Sequence, residues 1–256
     1  MSASTGAVTA VLAGRSLRLI PRIPSTFVPS LLMPIFFCIA FGGAFGAMTD
    51  LPVFPTDQIL DWIAPLAVLQ GAMFAGITTG MSLARDVENG FFDRLLLSPV
   101  SRRALLFGPL MASALRATFP IVAVLSVGLL GGARFTAPVA GPAVLVLIAL
   151  GMAVMAGAWS LVIVFKFKST RAAPLIQIAM FVVFFLSTAQ VPLGLLQGWL
   201  HHVARFNPMT NVLHATRQGF LGDVTWSGTW PGVLAILVGI VALTALADRG
   251  LRKMVP

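Results

Sequence analysis

Between Val28 and Met48 the chain runs 21 residues without a charged side chain. At 1.5 Å per residue that is about the length of helix needed to cross a hydrocarbon core of ~30 Å. Five further apolar runs follow, at about 62–83, 105–130, 141–165, 174–192 and 230–247, and short segments between them hold most of the charges. In lipid, every backbone N–H and C=O must be satisfied internally, so runs of this length are expected to be helices. With 58% hydrophobic and 10% charged residues, too little polar sequence remains for a separate soluble domain. The expected fold is an all-α polytopic membrane protein, a single domain over residues 1–256 with six transmembrane helices. The first run is longer than a signal-peptide apolar region and is read as a retained span.

The formal net charge is +9. A nucleic-acid partner would need a basic face on a soluble fold, whereas these cations stand in clusters between apolar runs, where they act as topology signals. Thirteen Lys and Arg fall on one side, in the N-terminal stretch, residues 85–103, residues 166–171 and the C-terminal tail. Three, Arg134, Arg205 and Arg217, fall on the other. The positive-inside rule then places both termini in the cytoplasm. Trp62, Trp199, Trp226 and Trp230 all lie at the opposite boundary, where aromatic belts form. Arginine outnumbers lysine 14 to 3, in keeping with a GC-rich bacterial genome.

Three connecting segments carry patterns of their own. Residues 5–20 place Val8, Val11, Leu12 and Leu19 among Arg15 and Arg18, which predicts a helix lying in the headgroup plane, ended by Pro21 and Pro24. Residues 85–103 hold seven charged side chains, while Phe92, Leu95, Leu96 and Pro99 recur at i, i+3, i+4 and i+7. This is an amphipathic surface helix ended at Ser98-Pro99. A solvated charge cluster and a docking element for a cytoplasmic partner both fit that pattern. In the third segment, Asn207-Pro208 is a helix start, with asparagine as cap and proline at the first helical position. Met209, Val212, Leu213, Thr216 and Phe220 line one side of that helix, and Gly222 closes it. A shorter helix over about 195–205 precedes it. The pair, 195–222, reads as a hairpin dipping into the outer leaflet between spans five and six, or as two helices lying flat on the outer surface.

Several chemistries are not supported. No GxxxxGK[ST] loop is present to cradle phosphates, so any nucleotide belongs to another subunit. HExxH and GxSxG are absent, none of the eight carboxylates lies inside a span, and no catalytic or metal-ligating set is expected. His201 and His202 diverge on a helix and, with His214, read as surface histidines. Cys38, the lone cysteine, belongs to an apolar run and reads as packing. Arg116 is the one ionisable side chain deep in a span, expected to snorkel or to pair with a carboxylate of 85–103. Gly42 with Gly46, and Gly76 with Gly80, form GxxxG pairs that serve either packing within one subunit or a dimer seam.

The run Glu88, Gly90, Arg94, Leu95, Leu96, Ser98, Pro99, Val100, Ser101 and Arg102 resembles the segment between spans two and three of ABC-2 type transporter permeases, particularly daunorubicin-type drug-resistance exporters. FNPMTNVLHATRQGF, with Asn207, Pro208 and Arg217, is similar to a second block of that family, and the order of elements agrees over essentially the whole chain. Gly90-Phe91 departs from the Gly-Thr of many relatives. The resemblance implies a permease dimer in the bacterial plasma membrane bound to two cytoplasmic ATPase subunits, which would hold the ATP and Mg; this chain is itself no enzyme and carries no cofactor. It also implies a coupling helix seated on the ATPase, with Asp86, Glu88, Gly90, Phe92, Arg94, Leu95, Leu96 and Pro99 as its residues. The implied activity is export of hydrophobic or amphipathic compounds such as drugs, lipids or polyketides. A scaffold or sensor with this topology is the alternative class, and polysaccharide the rival substrate. The absence of tyrosine and the prevalence of phenylalanine in the spans (Phe181, Phe184, Phe185) favour an apolar substrate.

Overall fold

The computed structural model describes residues 24–97 and 101–254, together with Gly6, Thr9, Val11 and residues 13–15, with backbone only at 24–27, 29 and 30. The described residues of the N-terminal stretch are helical; the remainder of the 5–20 segment lies outside the described residues. In chain order follow α1 (Pro24–Ala44), α2 (Ile59–Glu88), α3 (Phe91–Leu97), α4 (Arg102–Leu130), α5 (Ala140–Phe167), α6 (Ala173–Phe185), α7 (Gly198–Phe206), α8 (Pro208–Leu221) and α9 (Trp226–Arg252). No strand occurs among the described residues.

The organising helix is α2. Its most apolar stretch is 94% buried within the single chain, because α1, α4, α5 and α8 all pack around it. The closest approach is to α5: a Cβ at Gly76 would meet the Ala153 carbonyl and Gly157 N–H, and one at Gly80 would strike Ser160. Here the GxxxG spacing brings two backbones of one chain together, so the Gly76/Gly80 pair packs within the subunit rather than at a seam between subunits. A Cβ at Gly42 would meet Leu60 of α2, while Gly46 has open space around it. At the far end, the Asp61 carboxylate accepts the Arg134 N–H at 2.9 Å and the Thr56 hydroxyl at 3.0 Å. These bonds fasten the start of α2 to the loop joining α4 and α5.

The helices differ from the sequence expectation chiefly in length. Among the described residues, α2, α4, α5 and α9 are long and apolar enough to cross a membrane, whereas the apolar helical part Thr170–Phe185 is shorter. Helix α6 stops seven residues before the expected end at Pro192. Ser187 and Thr188 follow, side chains that compete with the helix for backbone hydrogen bonds, and Pro192 disfavours the helical conformation in Val191. The first run is displaced rather than shortened: α1 covers the 21 residues Pro24–Ala44, and Gly46–Asp50 forms a 3-10 turn. Arg116 lies buried in α4 at 6% exposure.

Candidate functional site

Helix α3 leaves the end of α2 through a turn at Asn89-Gly90. Gly90 has φ +66°, a conformation that glycine adopts freely and other residues only with strain. Three attachments then fix α3 and its approach. Phe92 is 1% exposed, its ring 5.9 Å from that of Phe165 near the end of α5, and Leu95 and Leu96 are half-buried against the same core. Asp86 receives both guanidinium nitrogens of Arg15, at 2.8 and 2.9 Å, and that guanidinium stands 4.2 Å from the Phe91 ring centre. The hydrogen bond to Asp86 raises the Arg15 pKa above its ordinary range, outweighing the opposing effect of burial. Glu88 accepts the Thr170 N–H at 2.7 Å and the hydroxyls of Ser169 and Thr170 at 3.0 Å, holding the turn that opens α6. The junction of α2 and α3 is thereby tied to the N-terminal stretch, α5 and the start of α6 at once.

This geometry corrects the expected orientation of the stripe. The sequence reading presents Phe92 and Leu95 to a partner; the structure turns Phe92 into the bundle and leaves Leu95 half-buried. The cause is proximity: burying a phenylalanine gains roughly 2–3 kcal/mol, and the core of the same chain lies within reach of α3. The exposed side of α3 holds Asp93, Arg94 and Leu97, and Leu97 is 87% exposed. Leu97 lies off the apolar stripe, and its only sequence signal is a large apolar residue on the charged side. Arg15, Ser169 and Thr170 had no such signal, since their roles come from contacts across 71 to 82 residues of sequence. Pro99 lies outside the described residues.

The second block folds as a latch at the opposite end. Asn207 caps α8, its side-chain oxygen accepting the Met209 N–H at 2.9 Å, and Pro208 takes the first helical position. The Asn207 amide also donates to the Val183 and Leu186 carbonyls at 2.7 and 2.9 Å, joining α8 to the end of α6. Arg217 is 1% exposed and donates to the carbonyls of Trp62 at 3.1 Å, Thr188 at 2.7 Å and Ala189 at 2.6 Å. Its guanidinium lies 3.5 Å over the Trp62 ring, whose N–H bonds the Gln190 carbonyl at 2.9 Å. The carbonyls freed where α6 unwinds are thus taken up by Arg217 and Trp62, as buried backbone requires. Beside this cluster is a cavity of about 400 Å³ lined by Asn211, His214, Thr210 and Pro231. His201 and His202 each place Nδ1 3.1 Å from a backbone carbonyl, and no group of three potential metal ligands occurs among the described residues.

The chain is 28% identical over 236 residues to a daunorubicin resistance ABC transporter permease of Streptomyces coeruleorubidus, covering 90% of this chain and 81% of that one. It is 23% identical over 220 residues to a probable doxorubicin resistance ABC transporter permease of Mycobacterium tuberculosis, covering 86% and 76%. A probable multidrug ABC transporter permease of Escherichia coli K12 is 26% identical over 164 residues, or 60% of this chain and 43% of its own length. Residues 8–221, which run from the N-terminal stretch through α3 to the end of the Arg217 helix, match the ABC-2 type transporter family, and the chain belongs to that family.

Proposed function

We propose that the chain is the membrane subunit of an ATP-driven exporter of hydrophobic or amphipathic compounds, coupled through α3 to a separate cytoplasmic ATPase that binds the ATP and Mg. The observation that carries this reading is the bracing of α3. Phe92 packs α3 on α5, and Phe91 lies under Arg15. Asp86 and Glu88, in the last turn of α2 just before it, bind Arg15 and Thr170, so a push on α3 can pass to α2, α5 and α6 together. An ATPase outside the membrane needs such a rigid cytoplasmic handle. In this reading Arg94 and Leu97 face the ATPase, while Asp86, Glu88, Gly90 and Phe92 position the helix.

The orientation follows from the cation bias and the order of the helices, with both termini cytoplasmic, six crossings of a bacterial plasma membrane, and α7–α8 an outer-leaflet hairpin. The shorter helix α6, of 13 residues, crosses with the help of neighbours. Leu32, Phe36 and Ile39 on α1, and Leu175, Ile178 and Val182 on α6, form exposed apolar faces suited to a second permease, identical or related. The relatives' names favour drug-like substrates over polysaccharide. The test is reconstitution of the permease with the ATPase that co-purifies with it. ATP-dependent accumulation of a lipophilic dye in inside-out vesicles is expected, and a chain that purifies with no ATPase and moves nothing would return the scaffold reading.

A further inference from the structure

Helices α4 and α9 both pack on α5 but hardly on each other. The gap between them is a groove of about 1000 Å³ that opens sideways, walled by Leu106, Leu110, Val154 and Ile240, with Phe107 and Met111 at its lip. Its charged residues are Arg102, Arg103, Asp248 and Arg252, all towards the α3 end. The Asp248 carboxylate is held by Arg252 Nε at 2.8 Å, so the net +2 of this rim resides on Arg102 and Arg103. Both are exposed and occupy the first turn of a 29-residue helix, where the helix dipole adds positive potential.

Dimensions identify the occupant. From Arg103 to Ala114 along α4 is about 16 Å, and from Ile240 to Arg252 along α9 about 18 Å, at 1.5 Å per residue. Each is about half of a ~30 Å hydrocarbon core. The groove is one leaflet deep, apolar over the acyl region and cationic at headgroup level.

We infer that this groove binds an anionic phospholipid, its acyl chains along α4 and α9 and its phosphate against Arg102 and Arg103. A zwitterionic lipid fills the same apolar walls but brings a cation to a cationic rim. A cationic amphiphile is disfavoured for the same reason, so the groove is a lipid site rather than the path of a basic drug. The inference uses the proposed orientation only to name the leaflet, as the cytoplasmic one. It does not depend on ATPase coupling.

The experiment is native mass spectrometry of the full-length chain released from detergent with equimolar phosphatidylglycerol and phosphatidylcholine. Phosphatidylglycerol should be retained over phosphatidylcholine by a factor of about thirty, as two surface arginines acting on one headgroup imply. Arg102→Gln with Arg103→Gln should bring the two lipids to parity. Arg249→Gln with Lys253→Gln, cations at the same end but outside the groove, should leave the preference intact, and Met111→Trp should lower retention of both lipids. Equal retention by the wild type, a preference that survives loss of Arg102 and Arg103, or equal loss in the Arg249/Lys253 control would overturn the proposal. Displacement of the bound lipid by a cationic lipophilic dye would also overturn it, by giving the groove to transported compounds. A failed ATPase-coupling experiment would leave these outcomes unchanged.

Discussion

Arg217 shows how a single side chain can hold an irregular, buried stretch of backbone. It has no carboxylate partner among the described ion pairs; its charge is spread over three carbonyls and the face of Trp62. Lysine cannot reproduce a planar fork that serves three acceptors, so Arg217→Lys should strand at least one buried carbonyl at about 1–3 kcal/mol. The expected result is a loss of several degrees in thermal midpoint, taking roughly 2–4 °C per kcal/mol for a chain of this size. Trp62→Phe keeps the ring under the guanidinium but loses the Gln190 bond, and should cost less, about 1 kcal/mol. Equal midpoints for Arg217→Lys and wild type in a detergent melt would remove the latch role. The sequence pointed to Arg217 only through family likeness. Its partners are carbonyls, which carry no side-chain signature.

At the scale of elements, the proposed function gives the two faces of α3 different jobs, and substitutions should separate them. Phe92→Ala removes a ring buried at 1% exposure and should destabilise the chain by roughly 3–5 kcal/mol while unseating α3. Leu97→Asp changes a residue that is 87% exposed and should leave the melting curve within about 0.5 kcal/mol of wild type but weaken association with the ATPase. Glu88→Gln should be milder than Glu88→Ala, because the amide keeps an acceptor for the Thr170 N–H. Substrate-stimulated hydrolysis and thermal melts measured together test the division. Coupling lost in Phe92→Ala without loss of stability would contradict it. The amphipathic pattern of residues 85–103 was legible because helical periodicity is local. Which way the stripe faces was not, because that depends on Phe165, 73 positions away in sequence. The early stop of α6 had readable causes in Ser187, Thr188 and Pro192, but an uncharged run hides a break that partners elsewhere make affordable.

For the whole molecule, the proposed topology rests on two independent signals, apolar length and cation bias, and it is open to direct labelling. In a Cys38→Ala background, cysteines replacing Asp57 or Trp226 should react with an impermeant reagent applied outside intact cells. Cysteines replacing Ser101 or Thr170 should react only after permeabilisation. Reaction of Ser101→Cys from outside would invert the orientation, and reaction of Thr170→Cys from outside would mean that the chain crosses fewer than six times. Helix existence and order were read from the sequence because each span is a long local signal. The central position of α2 was not, since its Gly76 and Gly80 fit a subunit seam as well as the α5 contact that the fold makes.

The claim that joins these scales is that the outward face of α3 meets an ATPase. Its most direct measurement is cross-linking of Leu97→Cys, in the Cys38→Ala background, with a short bifunctional maleimide in inside-out vesicles, followed by identification of the captured chain. The account predicts capture of a nucleotide-binding subunit from Leu97→Cys and none from Phe92→Cys, whose position is buried in the permease. No capture at Leu97 in vesicles where the ATPase still co-purifies, or capture of the ATPase from His202→Cys at the opposite end, would contradict it.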